Sequence, residues 1–380
     1  MSFVRLAFVS LVVAVPLAAQ GRQVTLGPAT ARATEPLSLV TTVRELASGA
    51  LMVADPIEKK LLRFDAALKA ATTIGREGGG PGEYRQPDAV WPFPGDSTLV
   101  TDLGNARLSV VGPGGAFGRS IPMAGGASGG PPSVIFPGGV DARGNIYFAP
   151  PAGGGRLDST DVVRVDAKGG AAQPVARLKS PDLDRQESGS ANARQVRIRP
   201  IPLSASDTWG VAADGRLAVF RSGDYHMEWI GNGPTKVGAP VKTTRVKIGT
   251  AEKKEWVSQQ MLSGGINMQV QEENGRRTMS FGRARPTEEP DTEGYKWPAL
   301  KPYFESGAVR IDAAGRAWVR RLREAGQLPL YDVFGADGAL VGSVTFPKGR
   351  TLLGFGAKGL YAADVDDDGV YTLERYALPL

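Results

Sequence analysis

An apolar tetrad, set behind a turn and followed by a stretch of alternating apolar and polar residues, recurs six times along this 380-residue chain. The tetrads read MVAD (Met52–Asp55), LVTD (Leu99–Asp102), YFAP (Tyr147–Pro150), LAVF (Leu217–Phe220), AWVR (Ala317–Arg320) and YAAD (Tyr361–Asp364). Hairpin-type turn signals precede them: Ser48-Gly49, Gly95-Asp96, Arg143-Gly144, Asp214-Gly215, Ala314-Gly315 and Lys358-Gly359. The stretches that follow begin KLLRFD at Lys60, ARLSVV at Ala106, DVVRVD at Asp161, YHMEWI at Tyr225, LYDVF at Leu330 and VYTLERYAL at Val370. Large apolar side chains at every second position predict strands, because a helix would repeat them at three and four. Each tetrad is thus the second strand of a unit. A first strand precedes the turn, near Val43, Trp91, Val140, Trp209, Val309 and Leu353, and a third follows.

Tetrads starting at residues 52, 99, 147, 217, 317 and 361 are 47, 48, 70, 100 and 44 residues apart. Undecorated units of 44 to 48 residues have the length of a four-stranded propeller blade. The expected fold class is all-β, a six-bladed β-propeller, with residues 20–380 as one domain. The sixth unit reaches Leu380 after its third strand, so a strand from the N-terminal side is expected to complete it. RQVTLG (Arg22–Gly27) is the segment expected to pair there, which would close the ring and remove both exposed sheet edges.

The stretch IGREGGGPGEYRQPDAV (Ile74–Val90), followed by LVTDLGNARLSVVGPGG (Leu99–Gly115), resembles the NHL-type repeat of six-bladed propellers. In that family a strand leads through a Gly-rich turn to an aromatic residue, a Pro and the next blade. The resemblance covers residues 45 to 118 most strongly, and the blade rhythm extends it across the chain. It implies the fold, and its members range from ligand-binding modules to lyases and lactone hydrolases, so it selects no activity.

Departures from the repeat locate the extra structure. In a blade, the connection from second to third strand and the connection to the next blade emerge on one face. Three long connections fall in those positions: Pro150–Thr160, Ser180–Asp207 and the insertion of residues 249–306 between blades four and five. Within the insertion, TAEKKEWVSQQML from Thr250 places Ala251, Trp256, Val257 and Met261 at helical spacing. MQVQEENGRRTMSF predicts a hairpin turning at Asn274-Gly275. WPALKPYF from Trp297 is an extended strap, and Val241–Ile248 is expected to be the outer strand of blade four. This mixed helix and hairpin insertion is expected to roof the channel mouth and shape a pocket there.

Composition narrows the chemistry. The chain has no Cys, which excludes disulfides, thiolate nucleophiles and Cys metal sites. Its one His, His226, excludes sites built on several imidazoles, and no G-x-S-x-G nucleophile motif occurs. At the start, Arg5, the apolar run Leu6–Val15, Pro16 and the small residues Ala18 and Ala19 read as a signal peptide over residues 1–19. That run is too short for a membrane span, and no Cys follows it for lipidation. A periplasmic or extracellular location, without membrane insertion, is the expectation. The net charge of +6 is dispersed; its densest stretch, Lys236, Lys242, Arg245, Lys247, Lys253 and Lys254, reads as a solvated face rather than a nucleic-acid surface.

Three sets of residues remain as candidates for chemistry. Asp364, Asp366 and Asp368 match the D-x-D-x-D-G opening of a calcium loop. Its twelfth position holds Arg375, with Glu374 one early, and the same string also suits an ordinary turn, so a turn and a weak calcium site both stand. No other cofactor is expected. The Gly78–Arg85 loop lacks the G-K-[ST] ending of a phosphate cradle. Its Tyr84 and Arg85, with Arg107, Arg320 and Arg321, are candidate contacts for an anionic or glycan ligand. Trp256 is a candidate either for anchoring the insertion or for stacking on a ligand.

The expected function is a secreted, non-catalytic, monomeric propeller that binds a small ligand, glycan or protein partner on its insertion-bearing face. The alternative is a divalent-metal-assisted hydrolase or lyase with a carboxylate-lined channel. That alternative needs several converging acids, and Asp88, Asp141 and Asp312 are those visible in the first strands.

Overall fold

The computed structural model describes residues 21–380 apart from 126–132, 151–156, 168–171, 191–192, 232, 274–275 and 308. The signal peptide expected at 1–19, the Asn274-Gly275 turn and the middle of the Pro150–Thr160 loop lie outside the described residues.

Five of the six tetrads lie within second strands, Leu51–Asp55, Ser97–Asp102, Leu217–Arg221, Ala317–Arg321 and Gly359–Val365, and the remaining one, Tyr147–Pro150, enters the second strand Ile146–Phe148 with its first two residues. Every residue of Leu51–Asp55 is buried, because neighbouring blades cover both faces of a second strand. A strand covered on both faces reads as a continuous apolar run, which is why the tetrads show no alternation while the third strands do. Each blade is a four-stranded antiparallel meander. Blade five adds a fifth strand, Arg22–Thr25, outside the meander. The innermost strands, Val43–Glu45, Pro87–Phe93, Gly139–Val140, Thr208–Val211, Arg310–Ile311 and Arg350–Phe355, contact one another in that order, and the sixth contacts the first. The chain is a closed six-bladed β-propeller.

The ring closes through an N-terminal strand, but the segment differs from the expected one. Ala31–Arg32 pairs antiparallel with Tyr371–Ala377 and supplies the fourth strand of blade six. Thr30 N and Ala33 N extend the ladder to the carbonyls of Arg375 and Leu373, at 2.7 and 2.8 Å. Arg22–Thr25 instead runs parallel to Leu340–Thr345 on the outer edge of blade five. Gly342 permits that approach, since a Cβ there would lie 2.4 Å from the Arg22 carbonyl oxygen. A second correction concerns blade four, whose outer strand is Gly233–Val237. Residues 246–248 pair with the strap instead, through Ile248 N to Ala299 O at 3.0 Å and Lys301 N to Val246 O at 2.7 Å.

Aromatic and aliphatic layers between blades form the core. Between blades four and five, Phe220 packs edge-on against Phe304 and Phe334, with Tyr225 beside them. Each such side chain taken from water contributes roughly 1.5–3 kcal/mol before conformational entropy is counted. The Asp that ends several tetrads ties the loops of the decorated face together. Asp55 accepts from Ser38 N in the preceding blade-to-blade loop and from Ile57 N and Glu58 N in its own turn. Asp102 does the same with Arg85 N, Gln86 N and Asn105 Nδ2. Blade four reverses the polarity: Asp207, from the incoming loop, accepts from Ser222 N and Oγ at 2.9 Å each. No helix among the described residues is long and apolar enough to cross a membrane.

Candidate functional site

The insertion consists of helix α1 (Thr250–Ser263), the hairpin Gly265–Glu273 with Arg276–Ala284, and the strap. Only Glu252 and Val257 of α1 are buried, so polar contacts do much of the anchoring. Glu252 accepts from Gly249 N, which caps the helix start, and from Ala325 N in blade five. Lys301, 1% exposed, donates to Glu255 Oε2 at 2.7 Å and to Arg323 O at 2.8 Å. A buried ammonium persists only with such partners.

From that anchor the hairpin reaches across the ring. Gln86 holds the main chain of Arg283 at both ends, accepting from its N at 2.9 Å and donating to its O at 2.8 Å. The Arg283 guanidinium grips both carboxylate oxygens of Asp88, on the innermost strand of blade two. Phe281 meets Phe136 edge-on at 5.3 Å, and Arg285 donates to Ser38 O and Gly369 O. The hairpin thus touches blades two and three, and Arg285, directly after it, reaches the loops of blades one and six.

Beneath it, at the channel mouth, lies a cavity of about 250 Å³ lined by Asp88, Trp91, Thr101, Ile266, Arg283 and Arg310, among others. Arg310 projects from blade five and donates to Leu353 O at 2.9 Å, Thr41 O at 3.1 Å, Val309 O at 3.1 Å and Gly307 O at 3.4 Å. These are carbonyls of blades six, one and five. Burial holds the Arg310 pKa below its ordinary value, yet a guanidinium remains cationic at neutral pH. Among the described residues Arg310 forms no carboxylate ion pair. Trp91 Nε1 and Thr101 Oγ1 are shielded from solvent and have no hydrogen-bond partner among the described residues.

A second cavity, of about 540 Å³, meets the first at Trp209 and Gly307 and runs between Leu157 and Ile198. A third, of about 590 Å³, shares Pro181, Pro200, Ser206 and Ser306 with the second and extends to Trp256 and Tyr295. The three adjoin one another in a row from the channel to α1, floored by blades and bounded by the long connections.

The sequence candidates occupy varied positions. Tyr84 is 2% exposed, packed between blades one and two, with its hydroxyl accepting from Leu61 N. Arg107 clamps the glycine loop by donating to the carbonyls of Gly79, Gly80 and Glu83, and Arg85 stands exposed beside that loop. Arg320 pairs with Glu305 at 3.2 Å. Arg321 holds Asp332 with both ends of its guanidinium, at 2.6 and 2.8 Å, and borders a separate cavity of about 300 Å³ beside Gln23 and Glu324. None of these five lines the three adjoining cavities. Trp256 does, while packing edge-on against Tyr295 and Trp297 at 5.4 Å each.

The Asp364–Asp368 string folds as a turn. Asp366 Oδ1 accepts from Asp368 N and Val370 N, while Asp364 pairs with Arg32 and Arg350 at 3.0 Å each. Among the described residues, no three His, Cys, Asp or Glu side chains group so as to hold a metal ion. Asp141 and Asp312 close the turns after their strands, accepting from Arg143 N and Asn145 N and from Ala314 N and Arg316 N. His226 lies between Asp224 and Glu228; burial opposes its protonation, but these two hydrogen bonds prevail and raise its pKa.

Trp91, Thr101, Trp209, Arg283 and Arg310 were not legible as site residues. The available signal was a charged or indole side chain on an innermost strand, where side chains converge on the channel. Arg310 and Trp91 both carry it.

No protein-family model matches the chain, and no curated protein matches it in sequence. Solved structures with a similar backbone include a gluconolactonase from Xanthomonas campestris, 13% identical, covering 92% of this chain and 98% of that one at a TM-score of 0.40. Virginiamycin B lyase from Staphylococcus aureus is 10% identical, covering 90% and 95% at 0.40. A DUF4221-family protein from Bacteroides vulgatus is 11% identical, covering 92% and 97% at 0.44. These likenesses concern six-bladed propeller architecture and transfer no residue or activity.

Proposed function

We propose that this protein is a secreted, NHL-like propeller that binds a small molecule at the channel mouth and along the adjoining groove, beneath its insertion. The observation that carries this reading is the row of adjoining cavities whose channel end is lined by Trp91, Thr101 and Arg310, a guanidinium with no carboxylate ion pair among the described residues. Pockets of a few hundred Å³, largely apolar with a few convergent polar groups, are the usual form of small-ligand sites. A metal-assisted hydrolase would need further acids beside Asp88, whose carboxylate is already gripped by Arg283. Ser306, exposed and shared by the second and third cavities, offers a test. A thermal-shift screen of acids, amines, sugars, lactones and amphiphiles should yield compounds that stabilise the wild type but not Ser306→Trp, in which the indole fills the groove. Hits that stabilise both proteins equally, or no hits at all, would count against the site.

A further inference from the structure

The two halves of the proposed site are chemically unlike, and together they define a ligand class. Among the residues lining the channel cavity, Arg283 and Arg310 against Asp88 leave one formal positive charge. Among the described residues Arg310 hydrogen-bonds to neutral carbonyls, which orient it without cancelling its charge, and Glu305, the carboxylate within electrostatic range, is itself paired with Arg320 at 3.2 Å. Trp91 Nε1–H and the hydroxyl of Thr101, itself 3% exposed, add hydrogen-bonding groups with no partner among the described residues. Donors shielded from water and left unmade favour any ligand that brings acceptors.

Across Trp209 and Gly307 the surface becomes apolar. Leu157 and Ile198 are each 47% exposed although both are large and hydrophobic, and Leu178, Leu183 and Pro200 continue the lining. The charged groups there are already engaged: Asp207 accepts from Lys179 N and Ser222 N and pairs with Arg221, while Lys179 Nζ donates to Asp182 and Ala205 O. The groove thus offers apolar contact without a free charge.

Resting on the small-molecule reading above, we infer that the ligand is an amphiphilic carboxylate. Its head sits in the channel cavity near Arg310, Trp91 and Thr101, and its hydrocarbon body lies along the Leu157–Ile198 groove. A cationic head would face two guanidiniums, a neutral head would leave the Arg310 charge unmatched, and a dianion would exceed the single net positive charge.

Binding of decanoate, decanol, butyrate and decyltrimethylammonium, each below its micellar concentration, tests this by calorimetry and by tryptophan fluorescence, since Trp91 and Trp209 line the site. Decanoate should bind one to one, with the other three at least about tenfold weaker. Thr101→Val should weaken decanoate about threefold or more and decanol by a smaller factor, since a hydrogen bond to a carboxylate is roughly twice as strong as one to a neutral hydroxyl. Ile198→Glu, at a half-exposed position, should weaken both. Decanol equal to decanoate overturns the head assignment, butyrate equal to it overturns the body, and tighter binding of the cation overturns the sign. If none of the four binds while some other compound stabilises wild type and not Ser306→Trp, the ligand class falls and the site stands. If no compound distinguishes those two proteins, both fall.

Discussion

Replacing Asp332 by Ala should remove one of the most tightly held carboxylates in the molecule, and the response decides whether Arg321 is free to meet a ligand. Asp332 is fully buried; it accepts from both ends of the Arg321 guanidinium, from Ser343 Oγ at 2.6 Å and from the Tyr225 hydroxyl. Burial and the neighbouring carboxylate push the Tyr225 pKa well above its ordinary value, so its proton stays in that bond. Removing one partner of a buried ion pair costs about 3–5 kcal/mol, because the other charge stays behind unpaired. Unfolding entropy of about 2.1 cal/mol/K per residue gives roughly 0.75 kcal/mol/K for some 360 folded residues, so the melting point should fall by about 4–7 °C. The assay is thermal unfolding of wild type, Asp332→Ala, Arg321→Ala and the double variant. Because both single changes break the same interaction, the double variant should lose less than their sum, with a coupling of about 0.5–3 kcal/mol. Additive losses, or a single-variant loss under about 1 kcal/mol, would refute the reasoning and return Arg321 to the list of available cations.

Two further outcomes are expected. His226 has a raised pKa in the folded state, so the stability it contributes is complete below its unfolded pKa of about 6.5 and is lost as pH rises through the higher folded value. Its imidazole, the one histidine resonance of the chain, should titrate above 6.5 by NMR, and His226→Asn should narrow its stability gap to wild type between about pH 6 and pH 8. A folded-state value at or below 6.5 would contradict the Asp224 and Glu228 contacts. Calcium titrated into chelator-treated protein should give no saturable heat from the Asp364–Asp368 turn, since Asp366 serves its own amides and Asp364 serves two arginines. A one-to-one isotherm abolished by Asp364→Asn would reinstate the calcium loop.

The blade count, the place of every second and third strand and the helix of the insertion were legible because each rests on local periodicity and turn chemistry. The fates of individual polar residues were not. Tyr84 and Arg107 look alike in sequence as surface ligands, yet one packs between blades and the other clamps carbonyls of the preceding loop. Nothing near Arg22 or Ala31 in sequence says which of the two will meet Tyr371–Ala377, since both are short stretches able to add to an open edge. The close approach that Gly342 permits lies more than three hundred residues away along the chain.

By itself, then, the sequence determined the repeating unit, the number of blades, closure from the N-terminal side and the position of the insertion, because spacing and alternation express how a strand must bury its faces. Only the tertiary structure decided the site. It set Arg283 of the insertion against Asp88, brought Arg310 to the carbonyls of blades six and one, and left Trp91 Nε1 and Thr101 Oγ1 without a partner among the described residues. Those relations join residues far apart in the chain, and their energies depend on desolvation and distance, which no local pattern encodes.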